Sequence, residues 1–248
     1  MNRENPPRRP EFRPVDKDLD KAARDLRFLL SRGYPRERVL TLVGDRYTLT
    51  RHDRHILRRG VFAPLAARAR KARLIGLDRL AGARVGVDGH NLLITLETAL
   101  KGGRLILGDD GVVRDIAGVG SSHKPGELTL LAAQLMLAAL SGASAVYIWL
   151  DSPLKKSGEL AGNLRRMLAR NGMTGDARAV PVPEKELFKH KGPVATSDSV
   201  LLDQVDQPTD PVGDLIQNPE KILTQADLSP ELTARFLALR LEVFLPDE

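Results

Sequence analysis

The 248-residue chain contains no cysteine. That excludes disulfides, zinc–thiolate centres and thiol nucleophiles together, and it fits a reducing, cytoplasmic setting. No run of about eighteen apolar residues occurs, so the sequence predicts no transmembrane helix and no membrane partner. The opening stretch MNRENPPRRPEFRP lacks the apolar core of a signal peptide. Its proline and arginine content predicts a flexible arm over residues 1–14. The order Gly-x4-Gly-Lys-Ser/Thr is missing, which excludes a P-loop. No Gly-x-Gly-x-x-Gly follows a strand, which disfavours a dinucleotide site. Apolar residues still make up 42% of the chain, enough for a core. The length suits one large domain or a small domain joined to a medium one.

Charge is distributed unevenly. The net charge is +6, but residues 1–75 carry 20 Lys+Arg against 9 Asp+Glu, and the remainder 18 against 23. A basic module attached to an acidic-leaning body follows from that asymmetry. Its expected partner is a polyanion, because Arg and Lys gain affinity by releasing phosphate counterions. An Arg-rich, Lys-poor half also arises from genomic base composition alone.

The basic part reads as helical over residues 15–75. Leu19, Ala22, Ala23, Leu26, Leu29 and Leu30 follow helical spacing over 16–32, and Gly33 ends that helix. Val39, Leu40 and Val43 mark a second helix that stops near Gly44. Thr50 with Asp53 resembles a capping box for a third, which carries Arg51, Arg54, Arg58 and Arg59. Pro64–Arg73 predicts a fourth. These arginines suit a nucleic-acid-facing surface or an ordinary solvated face.

From residue 84 strands alternate with helices. RVGVD (84–88), AVYIWLD (145–151), ARAVPVP (177–183) and VATSD (194–198) read as strands, and RLILGDDGVVRDI (104–116) as a hairpin. Helices are predicted over 91–100, 125–140, 157–170 and 229–244. The alternation implies an α/β fold with a largely parallel sheet, occupying residues 80–248 and closing on a C-terminal helix.

Three of these strands end in aspartate: Asp88, Asp151 and Asp198. In an open parallel sheet ligands bind outside the carboxyl ends of the strands. Carboxylates gathered there repel one another unless a proton or a cation intervenes. Hard cations such as Mg²⁺ or Mn²⁺ prefer oxygen ligands, so a divalent-metal site is the sharper reading. Aspartate is also an ordinary turn residue after a strand. Glu127 opens a helix and can turn toward the site or serve the helix dipole. Asp203 lies five residues past Asp198, an awkward offset for sharing a helical face. Asn91 can hold a metal-bound water or a phosphate oxygen, or cap the helix after Asp88. His90 follows Asp88 as a turn histidine or a substrate contact. GVGSSHKPGE (118–127) places Lys124 before a helix N-terminus, which suits an anion.

The motifs VGVDGHNLL, YIWLDSP and VATSDSVLLD together resemble the PIN-like nucleases, especially the NYN branch, over residues 84–206. The whole chain also resembles a family of archaeal and bacterial proteins of unknown function, with LVGDRYTLTRHDRHILRRGV as its N-terminal module. The first resemblance implies a PIN-like three-layer α/β/α body preceded by a small all-α module. It makes Asp88, Asp151 and Asp198 the metal-holding acids and sets Ser197 and Ser199, which flank Asp198, beside the substrate. The sequence departs from the pattern at Leu202, where relatives carry another acid; Asp203 stands one step later.

The expected function is a metal-dependent nuclease, acting on RNA more readily than DNA, with Mg²⁺ or Mn²⁺ activating water for an in-line displacement. Lys155, Lys156, Arg165, Arg166 and the basic module would hold the backbone. The main alternative is a nucleic-acid-binding protein with an inactive PIN-like body, motivated by Leu202. A haloacid dehalogenase-type phosphohydrolase ranks below both, since it needs a second aspartate where His90 stands.

Overall fold

The computed structural model describes residues 11–116, 125–218 and 240–244, together with residues 230 and 233. Strand β1 (Glu11–Pro14) precedes four helices, α1 (Lys17–Ser31), α2 (Arg36–Arg46), α3 (Arg51–Gly60) and α4 (Pro64–Arg73). Their ends obey local chemistry. The Asp16 side chain accepts the Asp18 amide at the start of α1. Gly33 takes a φ of 81° just past its end, a conformation that favours glycine. Thr50 and Asp53 close a capping box on α3. The apolar stripe of α1 packs with Val39, Leu40 and Val43 of α2 and with Ile56 and Leu57 of α3.

The remainder alternates. Strand β2 (Arg84–Asp88) leads into α5 (Gly89–Leu100), then the hairpin β3 (Leu105–Leu107) and β4 (Val113–Asp115). Then come α6 (Glu127–Ala139), β5 (Ala145–Asp151), α7 (Ser157–Arg170) and β6 (Gly175–Val180). They are followed by α8 (Pro183–Lys189), β7 (Val194–Ala195), α9 (Ser199–Gln204), β8 (Pro208–Thr209), α10 (Pro211–Gln217) and β9 (Arg240–Val243). The main sheet runs β6-β5-β2-β7-β8, and every pairing in it is parallel. Val146, Ile148 and Leu150 of β5 bury one face against α5, α6 and α7. Trp149 of the same strand turns to the other face, against Leu187 of α8 and Leu201 of α9. The molecule is thus α/β with helices on both faces of a parallel sheet, preceded by a helical N-terminal region. The chain leaves β2 toward β5 and β6 on one side and returns to β7 and β8 on the other. The switch point of the sheet lies between β2 and β7, where such folds open a crevice at the carboxyl edge.

A second sheet, β1-β9-β3-β4, joins the helical region to this body. Leu105 and Val113 face the α/β core, as does Leu241. Ile106 of β3 and Phe244 face the helical core. Alternate residues of one strand therefore serve two cores, as a period of two requires. Four expectations change here. The strand read over 194–198 ends at Ala195, and Asp198 stands three residues later as the N-cap of α9. The strand read over 177–183 is β6, which ends at Val180, and Pro183 opens α8. Residues 11–14, read as part of an arm, form β1 and pair in parallel with β9. Residues 240–243, read as the end of a helix, form β9, because Leu241 and Val243 alternate with Glu242 and the strand pairs with both β1 and β3. Most of the predicted 229–244 helix lies outside the described residues. The helix α8, which begins with Pro183 at its first position, and the short β8 and α10 were not legible as elements. Among the described residues no helix is long and apolar enough to cross a membrane.

Candidate functional site

Asp88 ends the central strand β2 at the switch point and is 4% exposed. Its Oδ2 accepts from Asn91 Nδ2 at 2.6 Å and from Thr196 Oγ1 at 2.9 Å. The Thr196 hydroxyl in turn accepts the Asp198 amide at 3.0 Å. Burial pushes the Asp88 carboxyl up to about 7 against the pull of those two hydrogen bonds, and the charges of Asp198 and Asp151 raise it further. Asp88 therefore sits in the field of both Asp151 and Asp198.

Register explains how they are arranged. Asp88 is level with Trp149 of β5, so Asp151 lies two residues further along. Val87 is level with Ala195 of β7, so Asp198 likewise lies beyond the level of Asp88. At about 3.3 Å per residue, Asp151 is set about 6–7 Å past Asp88 along the strand direction, whereas Asp198 lies beyond the end of β7, where the Thr196 hydroxyl accepts its amide. Asp88 is buried, and the other two aspartates are half-buried. Among the described residues no group of three or more His, Asp or Glu side chains is placed to hold a metal ion together.

Asp151 and Asp198 have local partners. Asp198 caps α9 by accepting the amides of Val200 and Leu201 on Oδ1. The Asp151 carboxylate is 3.0 Å from His90 Nδ1, and the Asp151 amide is 2.9 Å from the same nitrogen. One ring nitrogen cannot accept the amide and donate to the carboxylate at once, so the proton on Nδ1 decides which contact is a hydrogen bond. His90 thus has a place beside Asp151 rather than beside Asp88. Gly89, between them, has an ordinary φ; its constraint is close approach, since a Cβ there would meet Leu150 Cδ2 at 2.6 Å and Ile148 Cγ2 at 2.8 Å.

Other predicted residues are not brought together with Asp88. Asp203 forms a two-pronged ion pair with Arg70 of α4, Nε to Oδ1 at 2.6 Å and Nη2 to Oδ2 at 2.7 Å. Both its oxygens are thereby engaged. Glu127 is exposed at the start of α6. The acid buried beside α6 is instead Glu97 of α5, which accepts from Thr129 Oγ1 at 2.6 Å. Ser199 is half-buried as the first residue of α9, and Ser197 is buried with its Oγ unpartnered among the described residues. Lys155 is exposed on the loop that follows Asp151. Arg165 of α7 donates to the Ala177 carbonyl of β6. Lys124 lies outside the described residues.

Sequence reasoning missed four groups. Thr196 joins Asp88 to Asp198; its only signal was a hydroxyl in the segment read as a strand ending in Asp198. Asp210 follows β8, caps α10, and accepts the amides of Val113 at 2.7 Å and Gly213 at 2.9 Å. Burial lifts its carboxyl to about 7. The run Pro-Thr-Asp-Pro was its signal, an aspartate before a helix-opening proline. The hairpin turn supplies the other two. Asp109 pairs with Arg27 of α1 at 2.7 Å. Asp110, fully buried, binds Arg114 through both oxygens at 2.8 Å and Arg70 at 3.0 Å. Burial pushes Asp110 up, but those guanidinium groups outweigh it and hold it below the usual carboxylate range.

The basic module spends much of its charge internally. Arg58 pairs with Glu37, Arg54 with Asp45 and Arg59 with Asp115. The guanidinium groups of Arg36, Arg70 and Arg114 lie 4.8, 4.4 and 4.9 Å from the ring of Phe62. The contacts of Arg59 with Asp115, Arg70 with Asp110 and Arg114 with Phe62 fasten the helical region to the body.

Comparisons divide the chain at the same joint. The model described as "Protein of unknown function (DUF434)" matches residues 18–73, the four helices. That described as "Domain of unknown function (DUF5616)" matches residues 77–214. An uncharacterized protein of Methanocaldococcus jannaschii is 33% identical over 185 residues, which cover 74% of this chain and 88% of the relative. No solved structure matches. The match over 77–214 takes in every strand of the main sheet and the aspartates at its carboxyl edge, and the chain belongs to the DUF5616 family.

Proposed function

We propose that the chain is a metal-dependent nuclease with a PIN-like body, acting on RNA in preference to DNA. One observation carries the reading: a buried carboxylate, Asp88, stands at the switch point of a parallel sheet in the field of Asp151, which ends β5, and Asp198, which caps α9. Such an arrangement is costly unless a proton or a cation neutralises it. The strand order β6-β5-β2-β7-β8 supports a PIN-like body, being the doubly wound order centred on the first strand.

The donor set suits a hard cation. Asp88 and Asp198 offer carboxylate oxygens, and only Oδ1 of Asp198 is engaged among the described residues. Mg²⁺ commonly takes one or two carboxylates and completes its shell with water and substrate phosphates. Asp88 and Asp198 would hold it, with Asp151 ending the neighbouring strand beside His90. When bound, the ion would supply charge neutralisation and a nucleophilic water at neutral pH. The chain's own residues then have separable tasks. Asn91 and Thr196 fix the Asp88 carboxylate through one oxygen. His90 holds the end of β5 through the contacts of its Nδ1 with the Asp151 amide and carboxylate. Lys155 is exposed where a phosphodiester would approach.

The test is cleavage of labelled single-stranded RNA, and of DNA of the same sequence, by the full chain with Mn²⁺, Mg²⁺ or a chelator. Mn²⁺-dependent cleavage that disappears in Asp88→Asn is the expected result. Cleavage that persists in that variant, or in chelator, overturns the reading. A second reading, a nucleic-acid binder with an inactive body, draws on the capture of Asp203 by Arg70. Salt-sensitive RNA binding without cleavage is the outcome it requires.

A further inference from the structure

The segment that carries Asp198 is short and is gripped from outside. Helix α9 spans six residues, Ser199–Gln204. A helix of that length does not hold itself, because nucleation is unfavourable and few hydrogen bonds follow it. Its last carbonyls have no partner within the helix. Arg73 of α4 fills that gap, donating to the carbonyls of Leu202 at 2.7 Å and Val205 at 2.8 Å. One turn earlier on α4, Arg70 clamps the Asp203 side chain. The same Arg70 reaches Asp110, which orients Arg114, whose Nε donates to the Ser197 carbonyl at 2.9 Å.

We infer that Arg70 and Arg73 are positioning residues for the candidate site. With Arg114 they fix residues 197–205 at both ends and so set where Asp198 stands relative to Asp88. This rests on reading those two aspartates as the working pair. Burial supports the direction of the argument. Arg70 is 5% exposed, Arg114 2% and Asp110 0%, so water competes little for the bonds that join these three, while the Asp203 side chain at the far end of the clamp is 48% open. The partners lie in different parts of the chain: Arg70 and Asp203 are 133 residues apart. The helical region therefore acts on the site through its inward face, as a brace for one of its carboxylates. Nothing in that role requires the module to touch nucleic acid.

The experiment compares full-length Arg70→Gln and Arg73→Gln with Glu37→Gln, which breaks an exposed ion pair within the module. Amide hydrogen exchange is read at Val200 and Leu201, whose N–H groups bind Asp198, and at Val85 and Val87 in β2. Exchange at Val200 and Leu201 should quicken about tenfold or more in both arginine variants, with β2 unchanged and Glu37→Gln silent. Under Mn²⁺, kcat should fall about tenfold while KM stays within about twofold, the pattern of lost transition-state alignment. Paramagnetic broadening of the Asp88 and Asp198 amides by Mn²⁺ alone should need correspondingly more metal in the arginine variants. Unchanged exchange at Val200 and Leu201 overturns the inference. So does a uniform increase that includes β2, and so does full kcat despite local loosening. A wild-type chain that binds Mn²⁺ at Asp88 and Asp198 but cleaves nothing defeats the nuclease reading; the exchange and broadening changes then still decide the positioning role.

Discussion

Thr196 Oγ1 donates to Asp88 Oδ2 at 2.9 Å while accepting the amide of Asp198 at 3.0 Å. One buried hydroxyl thus ties the end of β2 to the start of α9. Replacing it in Thr196→Val keeps the shape and removes both bonds. The Asp198 amide loses its acceptor, which should cost about 1–3 kcal/mol in chemical denaturation. The bond is also one of two that hold the Asp88 carboxyl down, so its loss should raise a carboxyl that already stands at about 7. If cleavage requires ionised Asp88, the acidic limb of the pH–rate profile should move to higher pH. An unmoved limb would separate Asp88 ionisation from the reaction.

Asp88 also links stability to pH with a definite sign. Its folded carboxyl, at about 7, lies above the ordinary 3.8, chiefly through burial. The folded state therefore holds its proton more tightly than the unfolded chain does. This contribution to stability is complete below the ordinary value and is lost as pH rises through 7. Asp88→Asn removes the loss without breaking the local geometry. Asn91 and Thr196 both donate to the same oxygen, so an amide keeps an acceptor there. The variant should match wild type only below the ordinary carboxylate value, gain on it as pH rises from there, and exceed it by a few kcal/mol at pH 8, since each tenfold difference in proton affinity between folded and unfolded chain is worth about 1.4 kcal/mol. Asp210, lifted similarly, keeps its own penalty in both proteins. Mn²⁺ should raise the Tm of wild type at pH 8 and leave the variant unmoved. Equal pH dependence in the two proteins would show that Asp88 does not titrate as described.

The strands that end in Asp88 and Asp151 were legible because each is an apolar run closed by a carboxylate. The helices of the N-terminal region were legible from spacing and caps. Thr196 was not, because its role depends on the register of β7 against β2, which the sequence does not state. Asp203 looked available as a ligand because its captor, Arg70, is 133 residues away. Asp109 and Asp110 read as turn residues, and they do occupy a turn. Their deeper task, anchoring arginines of another layer, appears only when the hairpin is placed between two cores. Residues 240–243 of the predicted C-terminal helix misled for a related reason: LEV alternates as well as it spirals, and pairing with β1 and β3 decides the matter.

Gly89→Ala tests how tightly the turn after Asp88 is seated on β5. The added methyl would meet Leu150 Cδ2 at 2.6 Å, Ile148 Cγ2 at 2.8 Å and the Trp149 carbonyl at 3.0 Å. Side chains can yield, but the carbonyl belongs to a ladder. Overpacking of this kind costs about 1–3 kcal/mol. Because α5 starts at Gly89, any shift would carry Asn91 away from Asp88. Loss of stability together with reduced Mn²⁺ affinity is expected, by denaturation and by metal titration. Wild-type stability would mean that α5 moves freely relative to β5.

Asp110→Asn strikes the buried charge cluster at its centre. Asp110 accepts from Arg114 through both oxygens and from Arg70 through one, with no exposure to water. An amide in its place presents a donor to guanidinium donors and leaves two cations near Phe62 without their shared counter-charge. Removing one member of a buried ion pair typically costs about 3–5 kcal/mol. The exposed pair Arg58–Glu37, 53% and 65% open at its side chains, sets the contrast: breaking it with Glu37→Gln should cost about 0–1 kcal/mol. Urea denaturation of the two variants against wild type measures both. A cost for Asp110→Asn no larger than that for Glu37→Gln would mean that Asp203 and the Phe62 ring hold the arginines without Asp110. The brace between the helical region and the Asp198 segment would then lose its keystone.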